Sequence, residues 1–266
     1  MEGLVPWANL VGPWAWGGVL LFARIGTAVA LMPDFGAGTV PARIRLALTL
    51  ALTVAIDLAL GVVAVPLPDA APLMLPLIAR EVVIGAALGL AVRLVYSAVT
   101  LAGDLVGVNM GLSMDILFNA GSGEQELSMG RLFGVIATLL FFALGGHLIM
   151  TATLFAHLQA HPVGDGAFLL PSADVLAEAG VHMVRSGVLL AAPVIVVTLI
   201  LNVAMGFVMR VVPSINLFGI GLGILMVAGF FALGLEGEAL RLFFERELDR
   251  LPEWMFELSG VLPAGP

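Results

Sequence analysis

Six long apolar stretches, four of them interrupted by a single charged or amide side chain, dominate the hydrophobic pattern of the chain. A transmembrane helix needs about 20 mostly apolar residues, and every stretch approaches that length. The pattern therefore predicts an all-α integral membrane protein with about six hydrophobic helices. The stretches run near Trp14 to Met32, Leu46 to Pro66, Val82 to Gly103, Leu132 to Phe155, Gly187 to Met209 and Leu217 to Leu235.

A different pattern follows the last apolar stretch. Apolar residues recur there at i, i+3 and i+4 spacing with Arg and Glu between them, which is typical of a helix with one apolar face. The segment 236–266 is therefore predicted to contain an amphipathic C-terminal helix that lies on the membrane or on a partner helix. Its apolar positions are Leu240, Phe243, Phe244, Leu248 and Leu251.

Composition supports a membrane protein and removes several other classes. Hydrophobic residues make up 61% of the 266 residues and charged residues 11%, whereas about a quarter of the residues of a soluble domain are charged. The net charge is −8 and all 11 basic residues are scattered arginines, which argues against nucleic acid or anionic lipid as a partner because both recruit clustered cations. The absence of cysteine excludes disulfides, thiolate metal sites and cysteine nucleophiles.

Polar side chains within the apolar stretches need an environment that stabilises them. A charged side chain at the centre of a membrane helix costs about 3 kcal/mol, so it should face protein, water or the membrane interface. Arg80, Arg93 and Arg210 lie near the ends of stretches and can snorkel, whereas Arg24 and Asp57 lie deeper. Polar contacts between helices are expected at Arg24, Asp57, Arg80, Glu81, Asn202, Arg210 and Asn216.

An alternative hypothesis assigns the two deep charges to transport. A six-helix secondary transporter or permease would use Arg24 and Asp57 along its substrate path. Only one acid lies deep within a stretch, while proton and ion relays are usually built from several carboxylates or histidines.

Glycines recur at four-residue spacing in three places. Such small-xxx-small faces let helix backbones approach closely in a membrane, where burial of apolar surface supplies little drive for association. Close helix packing is therefore predicted at Gly85 and Gly89, at Gly103, Gly107 and Gly111, and at Gly219 and Gly223.

Two possible catalytic motifs each lack a residue that the chemistry needs. His157 and His161 stand four residues apart, but the first has no Glu beside it, so the zinc-protease motif is absent. Ser122 and His147 suggest an intramembrane serine protease, yet Ala120 replaces the first glycine of a nucleophile elbow. We therefore predict no enzymatic activity, no cofactor and no metal site.

A series of short sequence blocks runs in one order along nearly the whole chain. The blocks are Phe22-Ala-Arg24 with Met32-Pro33, Val40-Pro-Ala-Arg43-Ile-Arg45-Leu-Ala, Gly111-Leu-Ser-Met114, Gly145-Gly-His147, Pro162-Val-Gly164 and Pro213-Ser-Ile-Asn216-Leu-Phe218-Gly-Ile-Gly221. No single block is decisive. Together and in this order they resemble the FliR/SctT family of flagellar type III export-gate proteins and their injectisome counterparts.

The resemblance implies a non-enzymatic channel component of the bacterial inner membrane, located in the flagellar basal body. It implies assembly with FliP-like and FliQ-like subunits and an FlhB-like subunit into a pore for unfolded flagellar proteins. In that family the apolar helices form tilted, broken hairpins that pack in a helical multi-subunit gate. Such an arrangement would surround polar groups and helix breaks with protein or water.

The resemblance also implies a division of the chain. Residues 1–186 correspond to a FliP-like part, 187–235 to a FliQ-like hairpin and 236–266 to the amphipathic helix and tail. Within the first part, 107–123 corresponds to a plug loop that closes the idle pore, and its flexible or bulky apolar side chains suit a seal. The implied plug residues are Asn109, Met110, Gly111, Leu112, Ser113, Met114, Ile116, Leu117 and Phe118.

Overall fold

A computed structural model describes residues 5–32, 40–68, 70–112, 129–164, 173–211 and 217–260, with side chains described from residue 11 and, in the last range, from residue 220. Within these ranges the regular structure is helical. The helices are α1 (Val5–Leu31), α2 (Ala42–Ala59), a short 3₁₀ helix (Ala71–Leu73), α3 (Met74–Asn109), α4 (Met129–Ala143), α5 (Gly146–Ala160), α6 (Ala173–Val211), α7 (Leu217–Leu235) and α8 (Gly237–Leu258).

Three segments of the described chain are long and apolar enough to cross a membrane, namely Val11–Leu31, Ala71–Asn109 and Ala173–Val211. Two bent pairs raise the number to five if each pair forms one broken span. The bend between α4 and α5 is 65° and that between α7 and α8 is 51°. The prediction of an all-α membrane protein is thus confirmed.

The second apolar stretch, predicted near Leu46 to Pro66, is only partly helical. Helix α2 ends at Ala59, and residues 62–68 have no helical structure. Asp57 holds the turn between them, because its Oδ1 accepts a hydrogen bond from the Val63 N–H at 2.9 Å. Helix α2 is not one of the candidate spans, since Arg43, Arg45 and Asp57 fall within its 18 residues.

The helices group into two compact units. The first unit comprises Met1–Arg93, Gly145–Ala177 and Leu248–Pro266, and the second comprises Leu94–Leu144 and Glu178–Glu247. The division of the chain into 1–186, 187–235 and 236–266 stays a prediction, because it concerns resemblance to other subunits and not the packing of these two units.

In the first unit, α1 and α3 pack in parallel through glycines. A β-carbon on Gly85 would lie 2.1 Å from the Arg24 carbonyl oxygen, and one on Gly89 would lie 2.6 Å from the Ala28 carbonyl oxygen. Contacts that advance by four residues on both helices show that the two run in the same direction. The missing side chains allow the backbones to touch.

The segment after α2 lies along α1 in the same unit. The Val65 N–H donates to the carbonyl of Pro13 at 3.0 Å. A β-carbon on Gly17 would lie 2.1 Å from the Val63 carbonyl oxygen. An extended segment can approach a helix this closely only where the helix surface lacks side chains.

In the second unit, the C-terminal part of α3 packs against α4 in antiparallel orientation. A β-carbon on Gly103 would lie 2.7 Å from the Met129 carbonyl oxygen, and one on Gly134 would lie 2.5 Å from the Tyr96 hydroxyl. Helix α6 approaches the same stretch of α3, because a β-carbon on Gly187 would lie 2.8 Å from the carbonyl oxygen of Ala98. Helix contacts in both units thus depend on glycine.

The predicted amphipathic C-terminal helix is confirmed as α8. Phe244, Leu248 and Leu251 are buried, while Leu240 and Phe243 are partly exposed. On the polar face, Arg241 forms ion pairs with Glu238 and Glu245, one turn before and one turn after it. The apolar face of the helix therefore packs on protein.

The glycine contacts predict a difference between two Gly→Ala substitutions in the first unit. Gly85→Ala should lower the free energy of unfolding by about 1–3 kcal/mol, because the new methyl group would overlap backbone atoms of α1. Gly18→Ala in α1 meets nothing within 4 Å and should stabilise by about 0.5–1 kcal/mol, since alanine favours a helix over glycine. Thermal unfolding in detergent measures both. Equal stabilisation by the two substitutions would contradict the packing described.

Candidate functional site

The most deeply buried charges of the first unit form an ion pair between α1 and α3. Arg24 is 1% exposed and Glu81 is 0% exposed. Nε and Nη2 of Arg24 each lie 2.6 Å from Oε2 of Glu81. Both charges are thus neutralised inside the protein.

The turn that follows α5 completes this site. Nη1 of Arg24 donates to the carbonyl of His161 at 2.7 Å. The Gly164 N–H and Nη2 of Arg80 each donate to Oε1 of Glu81 at 3.2 Å. We call Arg24, Arg80, Glu81, His161 and Gly164 the polar node.

The hydrogen bonds of the polar node join α1, α3 and the 161–164 turn. Oε2 of Glu81 binds Nε and Nη2 of Arg24, and Oε1 of Glu81 binds Arg80 and Gly164. The third guanidinium nitrogen of Arg24, Nη1, binds the carbonyl of His161. A buried ion pair is tolerated when its remaining hydrogen-bonding capacity is satisfied in this way. The node therefore sets the register of α1 on α3 and holds the 161–164 turn against both helices.

The other predicted polar positions that the structure describes have different surroundings. Asp57 binds the backbone N–H of Val63, so Arg24 and Asp57 have different partners. Arg93, Asn202 and Arg210 are exposed. Asn216 lies outside the described residues.

Some of the predicted glycines lie against a neighbouring helix, and others have no atom near the place where a β-carbon would lie. Gly85, Gly89 and Gly103 lie at the helix contacts described above, and a β-carbon on Gly107 would lie 3.2 Å from Cβ of Met129. Gly223 meets nothing within 4 Å. The surroundings of Gly219 lie outside the described side chains.

The beginning of the predicted plug loop is visible at the end of α3. Nδ2 of Asn109 donates to the Leu105 carbonyl at 2.8 Å, and Met110 is buried with 0% exposed. Gly111 has a φ of +78° and is followed by Leu112, which is partly exposed. Ser113, Met114, Ile116, Leu117, Phe118 and Ser122 lie outside the described residues.

Two histidine contacts were not predicted from the sequence. In the first unit, Nε2 of His157 lies 3.0 Å from Oγ of Ser259. The Ser259 hydroxyl donates to the Phe256 carbonyl at 2.7 Å, so the ring nitrogen must be the donor to Oγ and His157 carries its proton on Nε2. This contact ties the end of α8 to α5.

The second contact lies in the second unit. Nε2 of His182 on α6 lies 3.1 Å and 3.0 Å from the two carboxylate oxygens of Glu247 on α8. Glu247 is 3% exposed, and no spacing rule connects positions 65 residues apart in sequence. Among the described residues, no group of three or more His, Cys, Asp or Glu side chains could hold a metal ion.

An apolar groove follows the hairpin of α6 and α7. Its volume is about 610 Å³, and it is lined by Leu201, Ile220, Gly223, Ile224, Val227, Ala228 and Phe231. The apolar window of α6 is only 17% buried, compared with 50% for that of Ala71–Asn109. This hairpin therefore presents most of its apolar surface outward.

The fold and the polar node define an all-α membrane protein with a buried ion pair between Arg24 and Glu81 and an α6–α7 hairpin that is apolar on its outer face. The chain belongs to a family described as bacterial export proteins, family 1, whose model matches residues 15–251. The resemblance found in the ordered sequence blocks is thus confirmed.

The relatives that match have the same name, flagellar biosynthetic protein FliR. The protein of Pectobacterium carotovorum subsp. carotovorum is 30% identical over 147 residues, which cover 54% of this chain and 56% of the relative. That of Escherichia coli K12 is 28% identical over 135 residues, covering 51% and 52%. That of Caulobacter vibrioides is 34% identical over 116 residues, covering 43% and 44%. The chain spans about half the length of these relatives.

The polar node predicts strongly non-additive effects of substitution. Arg24→Met or Glu81→Met alone should destabilise the protein by about 3–5 kcal/mol, because each leaves the other charge buried without its partner. The double variant should be less destabilised than the sum of the two, since no uncompensated pair member remains. Denaturant unfolding in detergent measures all three. Arg241→Met removes two ion pairs on the exposed face of α8. It should change the free energy of unfolding little and serves as the control.

Strictly additive losses for the two single variants would contradict this account of the node. They would indicate that Arg24 and Glu81 contribute to stability independently of each other.

Proposed function

We propose that the chain is a core channel subunit of a flagellar type III protein export gate in the bacterial inner membrane. It assembles with FliP-like, FliQ-like and FlhB-like subunits at the flagellar basal body and passes unfolded flagellar proteins through the resulting pore. The observation that carries this proposal is the family match over residues 15–251. The names of the relatives support the flagellar assignment.

The outward apolar face of the α6–α7 hairpin supports assembly with other subunits. Phe207 is 68% exposed and Val227 is 73% exposed. Single exposed apolar residues are ordinary, but extended apolar surface beside a groove favours an interaction site. A complex of several helical subunits would cover such a surface.

The length of the helices supports a channel that is not confined to the bilayer. Helix α6 has 39 residues, which corresponds to about 58 Å at the rise of an α-helix. The hydrocarbon core is about 30 Å thick, and membrane helices tilt by at most about 40°. A helix of this length must therefore project beyond the hydrocarbon on at least one side.

Purification of the tagged chain from native membranes in mild detergent tests the proposal directly. We expect FliP-like and FliQ-like subunits to accompany it in fixed stoichiometry, as determined by mass spectrometry. Repeated recovery of the chain alone, under conditions that preserve other membrane complexes, would reject it.

The proposed plug makes a separate prediction. Replacing 113–121 with a Gly-Ser linker of equal length should leave assembly unchanged and make the inner membrane permeable to ions and small solutes, because the linker lacks the bulky apolar groups of the seal. Uptake of a small impermeant dye and loss of membrane potential in cells measure the leak.

The matched control is an equal-length linker in the 165–170 connection, which should leave the membrane tight. A fully assembled gate that remains tight after replacement of 113–121 would exclude the plug role.

A further inference from the structure

The end of α3 is held against α7 in the second unit. The Met110 side chain is fully buried. A β-carbon on Gly229 of α7 would lie 2.5 Å from Cγ, 2.7 Å from Sδ and 2.8 Å from Cε of Met110. The methionine therefore lies flat in a socket that exists because residue 229 has no side chain.

The backbone beside the socket ends α3 in one defined conformation. The Gly111 N–H donates to the Val108 carbonyl at 3.1 Å, and the Leu112 N–H donates to the Gly107 carbonyl at 3.0 Å. With Gly111 at a φ of +78°, these bonds form the left-handed glycine cap that terminates many helices. The direction in which the chain leaves α3 is therefore fixed.

Helix α7 also contacts this helix cap. A β-carbon on Gly111 would lie 2.5 Å from Cδ2 of Leu222, which lies about two turns before Gly229 on the same face of α7. Two contacts with a single helix hold the end of α3 more firmly than either contact alone. A displacement of α7 at these positions would therefore also move Leu112, the last residue described before the loop.

We propose that Met110 and Gly229 form an anchor through which α7 positions the pore-closing loop. This inference rests on the proposed plug role of 107–123. Met110 is then a positioning residue and does not belong to the seal. Methionine suits this task because its unbranched, flexible side chain can follow the irregular surface over a glycine.

Labelling of an introduced thiol tests the anchor independently of any leak. Because the chain has no cysteine, Val106→Cys introduces its only thiol. Val106 lies one turn before Met110 on α3 and is also 0% exposed, so Met110 keeps its contact with Gly229. In the purified assembled complex this thiol should react slowly with a maleimide. Adding Gly229→Leu should raise the rate about tenfold, the population shift that a small overpacking strain can produce.

Gly234→Leu is the matched control for this labelling. Gly234 lies in the same helix and meets nothing within 4 Å, so its substitution should leave the reaction rate unchanged. Rapid labelling with Gly229 intact, or equal rates with and without Gly229→Leu, would overturn the anchor.

Permeability then tests the positioning role. In the cysteine-free chain, Gly229→Leu should raise dye uptake about tenfold over Gly234→Leu, by the same population shift. Assembly yield should stay the same, a result that loss of folding could not give. Gly229→Ala should leak less, and it replaces the leucine variant if that variant fails to assemble.

A size swap provides a rescue. Met110→Ala with Gly229→Met moves the methionine to the other side of the contact and should leak less than Met110→Ala alone. Failure of the swap to reduce the leak would count against the socket.

The outcomes separate this inference from the proposal on which it rests. A tight membrane after replacement of 113–121 would reject the plug role itself. A leak in that variant, together with a tight membrane in Gly229→Leu even though the thiol introduced at position 106 has become reactive, would overturn only the anchor.

Discussion

The buried ion pair between Arg24 and Glu81 is the interaction on which the first unit depends. Two opposite charges on different helices can be placed in an apolar interior only if they meet, because either one alone would be too costly. Their meeting fixes one point of contact between α1 and α3. Gly85 and Gly89 lie about one and two turns beyond Glu81, so the register set by the ion pair brings both glycines onto the backbone of α1.

The same carboxylate and guanidinium organise a distant part of the chain. The 161–164 turn binds Arg24 through the His161 carbonyl and Glu81 through the Gly164 N–H. Two sequence blocks that carried the family resemblance, Phe22-Ala-Arg24 and Pro162-Val-Gly164, thus meet at one node. Arg24 of the first block binds the carbonyl of His161, which precedes the second block, and Gly164 of the second block binds Glu81, the partner of Arg24.

The all-α class of the protein could be predicted from the sequence, because a membrane helix is recognised by the length and hydropathy of an apolar stretch. The sequence also indicated that Arg24 needs a partner, but periodicity within a helix carries no information about which of several acids will lie beside it. The end of α2 was placed too late, although Gly61, with Pro66 and Pro68 after it, signals a helix stop. The contacts of His157 with Ser259 and of His182 with Glu247 join residues far apart in sequence, which no local pattern specifies.

Within each unit, the side chains at the helix contacts differ in their task from those that point away from the contacts. Inside each unit, glycine contacts and paired charges allow the helices to approach closely, so the apolar side chains that point away from these contacts remain available. On α6 and α7 those side chains form the outer face beside the groove. We therefore propose that the inner faces serve folding and that neighbouring subunits cover the outer face of this hairpin.

Site-specific photo-crosslinking from the outer face of α6 tests this assignment most directly. A photoreactive amino acid at Leu199, which is exposed, should form adducts with other export-gate subunits in native membranes, whereas one at the buried neighbour Thr198 should form adducts only within the chain. Adducts that contain lipid alone, from Leu199 in cells that still assemble flagella, would contradict the central claim that partner subunits cover this surface.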